Sequence, residues 1–168
     1  EILREFENLR LIIAPRHPER AIEILNLCNS CNLKSQILSQ NDNDHEKILI
    51  VDSLGILSNY FNISDIVFLG GSLIPAGGHN PIEPSIYNCA IITGNYIFNW
   101  NNIFNDMLKN KACLKIQSVE ELRINLRELL KNEDKMEEMK INSFKFSQKQ
   151  FIDIKYLDKH INKHLSLC

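Results

Sequence analysis

The 168-residue chain lacks most of what would place it in the larger specialised classes of protein. Its five cysteines are odd in number and scattered at Cys28, Cys31, Cys89, Cys113 and Cys168, which excludes a disulfide framework of the secreted type. Cys28-Asn29-Ser30-Cys31 has the spacing of half a zinc site or a redox pair. No second ligand pair stands at comparable spacing, so two small residues on one helical turn is the simpler reading, and no metal is expected. No apolar run approaches the roughly 20 residues of a membrane span, and no signal peptide opens the chain, so a cytosolic domain is expected. The formal net charge of -2 implies no basic face and gives no reason to expect nucleic acid. There is no internal repeat, and the polar stretch 41–46 reads as a surface loop. The chain opens on Glu1 rather than methionine, and residues to Asn8 read as a helix already under way. A piece of a longer protein is therefore expected.

What is present is one core and one unusual loop. At 44% hydrophobic the chain can bury a single ordinary core. Only six glycines occur, and four of them fall in Gly70-Gly71-Ser72-Leu73-Ile74-Pro75-Ala76-Gly77-Gly78-His79-Asn80-Pro81-Ile82-Glu83-Pro84. This run follows the apolar stretch Ile66 to Leu69 and precedes a predicted helix start. Strand, glycine-rich loop and helix N-terminus together offer backbone N–H groups and a positive dipole end to a phosphate.

Apolar runs and helical periods alternate along the rest of the chain. Leu9 and Leu11 to Ile13, Ile37-Leu38, Ile48 to Val51, Ile66 to Leu69, Ala90 to Thr93 and Cys113 to Ile116 read as strands. Between them, residues 19–32 carry a helical face at Ala21, Ile22, Leu25 and Cys28. Asp52-Ser53 reads as the cap of a segment running to Tyr60, while Asn80 to Asn88 and Asn99 to Asn110 read as further helices. Ser118 with Glu121 forms a capping box for a helix to about Lys131, and Glu133 to His164 is charged and helical with one or two breaks. The predicted fold is α/β: a doubly wound, Rossmann-like parallel sheet that binds ligands at the carboxyl ends of its strands.

Three segments fall at such ends. In Pro15-Arg16-His17-Pro18-Glu19-Arg20, Arg16 is a permanently charged fork suited to phosphate or carboxylate, against the plainer reading of a solvated turn. In the glycine-rich run, Asn80 is placed as N-cap, Pro81 at the first helical position and Glu83 at the third. Glu83 is either a capping-box partner of Asn80 or a carboxylate for two vicinal ribose hydroxyls. His79 either donates to a phosphate or lines the turn. At Leu54-Gly55-Ile56, a glycine in a first helical turn suggests close approach, by a nucleobase or by a second helix.

Taken together, Ala14-Pro15-Arg16-His17-Pro18-Glu19-Arg20 and the Gly70 to Pro84 run closely resemble the carboxyl-terminal domain of the 3-deoxy-D-manno-octulosonic acid (Kdo) transferases. The resemblance runs from Glu1 to the last helices. It implies a GT-B glycosyltransferase whose Rossmann-like carboxyl-terminal domain, here 1–132, holds the donor CMP-Kdo. Residues 133–168 would be terminal helices packing on an amino-terminal domain, leaving Phe144, Phe151, Ile154, Leu157 and Ile161 as a partly uncovered stripe. By match to the family's motifs, Pro15, Arg16, Leu54, Gly55, Ile56, Asn80, Pro81, Ile82 and Glu83 would contact the CMP. His17, Ser72, Gly77, Gly78, His79 and Asn99 would support the site.

The resemblance also implies a lipid A precursor as acceptor, at the cytoplasmic face of the bacterial inner membrane. It places the catalytic glutamate in an amino-terminal domain, so no catalytic residue is expected here, and it suggests that the domain's first strand is missing. The expected function is the donor-binding half of a Kdo transferase in lipopolysaccharide biosynthesis, inactive alone and working with an amino-terminal partner. The alternatives are an inactive remnant of a split gene and another GT-B nucleotide-sugar enzyme. Two departures bear on this. Ile56 stands where the family has glutamate, and Gly94-Asn95-Tyr96-Ile97-Phe98-Asn99-Trp100 has lost the family's proline and histidine while keeping Asn99.

Overall fold

The structure, a computed structural model, describes residues 1–40 and 46–165, with side chains as far as residue 150. The chain divides into two compact units, Glu1–Tyr60 and Phe61–Cys168. All strand pairs are parallel, and each unit holds its own three-stranded sheet.

The first unit contains α1 (Ile2–Glu5), β1 (Leu11–Ile13), α2 (Ala21–Ser30), β2 (Ser35–Ile37) and β3 (Ile48–Ile50), in sheet order β1-β3-β2. A single 3₁₀ turn, Pro18–Arg20, leads into α2. The buried core is Ala21, Cys28, Ile37, Ile48 and Ile50, with Ile24 and Leu25 packed against it. Ile22, expected on that face, is 49% exposed. At 100° per residue the buried stripe is Ala21-Ile24-Leu25-Cys28, and Ile22 falls outside it.

The next segment corrects a second expectation. Asp52 does not cap a helix, because its carboxylate accepts both the Ser39 backbone N–H, at 3.2 Å, and the Ser39 hydroxyl. The helix that follows, α3 (Leu57–Phe61), begins only four residues after Ser53. Gly55 therefore lies outside a helix, with φ +82 and open space around its Cα. Glycine here serves a left-handed backbone conformation, and no helix among the described residues packs closely against it.

The second unit contains β4 (Ile66–Leu69), α4 (Ile82–Ile86), β5 (Ala90–Thr93), α5 (Asn101–Lys109), β6 (Leu114–Lys115), α6 (Val119–Lys131) and α7 (Glu133–Leu165), in sheet order β4-β5-β6. β5 is central and all four of its residues are 0% exposed. Alternation puts Ile91 into one cluster with Leu69, Phe104, Met107 and Phe146, and Ile92 into another with Ile116, Leu129 and Met139.

The capping box forms as expected: the Ser118 hydroxyl accepts the Glu121 N–H at 3.1 Å, and the Glu121 carboxylate accepts the Gln117 N–H at 2.8 Å. Asn132 then caps α7 by accepting the Lys135 N–H at 2.9 Å. The expected breaks in α7 are absent, since no glycine or proline interrupts residues 133–165. Met139 and Phe146 pack into this unit's own clusters, and Lys140 pairs with Asp65 at 2.9 Å and Glu137 at 3.5 Å. Phe144 is 40% exposed, while the Phe151, Ile154, Leu157 and Ile161 side chains lie outside the described residues.

The cysteines follow the simpler reading. Cys28 is buried in the first core and Cys31 is exposed beyond α2. Burial pushes the Cys89 thiol up to about 11 and the Cys113 thiol up to about 12, so both stay protonated and inert at neutral pH. Cys168 lies outside the described residues. Among those residues no three His, Cys, Asp or Glu are grouped to hold a metal, and no helix is long and apolar enough to cross a membrane.

Candidate functional site

In both units the singled-out residues lie where parallel strands end. Residues after β1 and after β3 leave the same edge of the first sheet, because these strands are adjacent and Val51 N–H donates to Ile13 O at 2.9 Å. That edge carries Pro15, Arg16 and His17 on one loop and Leu54, Gly55 and Ile56 on the other. Arg20 is spent on Glu23, through hydrogen bonds of 3.0 and 3.2 Å that hold the glutamate below and the arginine above its usual pKa. His17 stands 3.7 Å from Glu19, with both side chains exposed. Arg16 is exposed and has no ion pair or hydrogen bond among the described residues, so its guanidinium fork is free for an anion. Leu54 is 76% exposed and Ile56 half-buried. A cavity of about 420 Å³ in this unit lies at the other, amino end of the strands, lined by Leu3, Arg4, Glu7, Lys34, Lys47 and Ile48, and contains none of these residues.

The loop after β4 is built differently. Ser72 is fully buried; its hydroxyl donates to Leu69 O at 2.6 Å and accepts the Gly94 N–H at 2.7 Å. Its carbonyl accepts the Tyr96 N–H at 2.9 Å. Gly78 N–H returns to Gly71 O at 3.1 Å, and Asn99 joins the loop twice, N–H to Gly77 O at 3.3 Å and Nδ2 to Ala76 O at 3.5 Å. Gly71, Gly77 and Gly78 all have positive φ, and a side chain at Gly77 would overlap Asn99 and Phe98. The glycines after β4 and the residues after β5 thus form one interlocked turn. His79 is half-buried, its ring 3.6 Å from where a Gly71 side chain would stand.

The turn ends at α4, which starts one residue later than expected, with Pro81 as N-cap. Asn80 still caps it: its side-chain oxygen accepts the Ile82 N–H at 3.0 Å. Glu83 is therefore the second helical residue, and its exposed carboxylate bonds neither Asn80 nor any other described residue, so the capping-box alternative is not realised. The expected cradle of first-turn N–H groups is narrower than the sequence suggested. Pro81 and Pro84 have no N–H and Ile82 is bonded to Asn80, which leaves the Glu83 amide as the first-turn donor without a partner among the described residues. With five residues α4 also has little macrodipole. The free polar groups at this end are thus the Glu83 amide and carboxylate.

Sequence reasoning missed two tethers, Ser39 to Asp52 in the first unit and Ser72 to Gly94 in the second. Both join segments that are distant in sequence, and no local motif announces them.

No family model matches the chain. It is 34% identical over 163 residues to a bifunctional glycosyltransferase/methyltransferase of Fusobacterium nucleatum, covering 95% of this chain and 25% of that protein. It is 36% identical over 119 residues to the 3-deoxy-D-manno-octulosonic acid transferase of Haemophilus influenzae, covering 70% of this chain and 28% of that protein. The chain therefore spans about a quarter of the length of each of these curated relatives. Among solved structures it matches the C-terminal CMP-Kdo binding domain of WaaA from Acinetobacter baumannii with a TM-score of 0.80 and 29% identity, over 88% of this chain and 78% of that one. The fold is thus the Rossmann-like α/β fold of that GT-B domain, and the chain is similar in sequence to 3-deoxy-D-manno-octulosonic acid transferases and in structure to the C-terminal CMP-Kdo binding domain of WaaA.

Proposed function

We propose that this chain is the donor-binding part of a glycosyltransferase that moves Kdo from CMP-Kdo to a lipid A precursor at the cytoplasmic face of a bacterial inner membrane. The observation that carries the reading is the uncommitted Glu83 carboxylate, presented by an interlocked glycine turn in a chain similar to a CMP-Kdo binding domain. A carboxylate with both oxygens free suits the vicinal hydroxyls of a ribose. Arg16 suits the phosphate of the nucleotide. As the sugar leaves, negative charge grows on the departing cytidine monophosphate, and a guanidinium bonded to that phosphate stabilises the growing charge more than it stabilises the ground state.

Pro15 and Leu54 to Ile56 would contact the nucleotide, as the family resemblance implies, and Asn80 to Ile82 would set the path of the backbone into Glu83. Ser72, Gly77, Gly78 and Asn99 would act behind the turn rather than on the donor, since their polar groups are engaged within it; His17 and His79 would border it. Residues 1–132 would form the donor domain, with the first part of 133–168 packed on it through Met139 and Phe146 and the remainder reaching toward an amino-terminal domain. That domain, in the same or a separate chain, would bind the acceptor and supply the group that deprotonates it. The isolated chain then binds donor without transferring sugar.

Isothermal calorimetry with CMP tests this. The chain is expected to bind CMP, and Arg16→Ala and Glu83→Ala each to weaken binding by about ten- to a hundredfold, the worth of a charged hydrogen bond. A folded chain that takes up no CMP, or that binds UDP equally well, would contradict the reading.

A further inference from the structure

Two loops at the carboxyl end of the second sheet meet at one hydroxyl. Ser72 stands three residues beyond Leu69, whose carbonyl its hydroxyl caps at 2.6 Å, and the same oxygen accepts the Gly94 N–H at 2.7 Å. Ser72 is 0% exposed, so neither bond has water to replace it. Gly94 is not at positive φ, yet a side chain there would overlap the Ser72 carbonyl, so glycine is required by the approach of the two loops. Tyr96 N–H to Ser72 O at 2.9 Å and Asn99 N–H to Gly77 O at 3.3 Å complete the contact along the same seam.

We propose that Ser72 is a positioning residue for the donor site: it fixes the loop after β5 against the glycine turn, and the turn in turn sets the backbone that carries Glu83. The inference rests on the donor-binding reading above. It assigns to the loop after β5, Gly94 to Trp100, a part in donor affinity exerted through Ser72 and Gly77, without contact to the nucleotide. Ser72→Ala removes the acceptor of the Gly94 amide and the tie to Leu69 together, freeing the turn to sample other conformations. The bound conformation must then be selected from more states, which lowers affinity.

The test compares CMP affinity with stability. Ser72→Ala is expected to bind CMP on the order of tenfold more weakly than the parent chain when both are folded. Ser147→Ala removes a hydroxyl that is equally buried and bonds Phe144 O at 2.8 Å, and it is expected to lower the melting temperature without changing CMP affinity. Unchanged affinity in a folded Ser72→Ala protein would overturn the proposal while leaving CMP binding by the parent intact. Failure of the parent to bind would instead remove the donor reading itself. If Ser72→Ala does not fold, amide hydrogen exchange on the parent decides. CMP should slow exchange at Gly94, Tyr96 and Gly78 more than at Asn132, and equal protection at all four would overturn the proposal.

Discussion

The glycine turn after β4 and the loops after β1 and β3 occupy equivalent places in their sheets, yet they are held in opposite ways. The first is tied by Ser72, Gly78 and Asn99 through backbone and buried side-chain bonds, with three of its glycines at positive φ. In the second group Arg16, His17, Leu54 and Gly55 are exposed, and Arg16 makes no bond among the described residues. An interlocked turn that presents one carboxylate and an exposed, unbonded guanidinium are different contributions to binding. The turn is paid for in folding stability before any ligand arrives, whereas Arg16 loses its rotamer freedom only on binding.

Substituting one positive-φ glycine from each group separates these regimes most sharply. Gly77→Ala forces a left-handed alanine and an overlap with Asn99 and Phe98, and is expected to cost about 2–4 kcal/mol in denaturant unfolding. Gly55→Ala meets open space, so only the backbone term remains, about 1 kcal/mol. Equal costs at the two sites would break the contrast.

The Lys140 ion pair gives an effect of about 1 kcal/mol or less, because Asp65 is largely exposed. Its hydrogen bond to Asp65 chiefly holds the Lys140 ammonium above its usual 10.5, with partial burial opposing and Glu137 assisting. A pKa raised in the folded state contributes stability that is fully present below pH 10.5 and is lost as pH rises through the higher folded value. The melting-temperature gap between the parent and Lys140→Met should therefore be constant from pH 7 to 9 and narrow as the pH rises past 10.5. Arg16→Ala should have the smallest effect on folding, within about 0.5 kcal/mol, since the side chain is exposed and bonds no described residue. A large loss would show that it is structural.

How much could be read from the sequence depended on whether the deciding contact was local. Ser118 and Glu121 stand three residues apart, and their reciprocal caps form as expected. Asn80 is the cap of α4 for the same reason, although the helix starts one residue late. Asp52 looked like an equally good cap, but Ser39, thirteen residues earlier, takes its carboxylate. Gly94 gave no sign of its role because its requirement comes from Ser72, twenty-two residues away. The fold was legible because the alternation of apolar runs and helical periods is also a local property. The family motif placed Glu83 in the chain, but only the coordinates show that it is not spent on capping.

The most direct measurement is a CMP titration followed at each backbone amide by heteronuclear NMR. Saturable shifts at Asn80, Ile82 and Glu83, with smaller ones at Gly71, Gly78 and Gly94, are the expected result. A folded protein in which those amides stay fixed through saturating CMP would contradict the account.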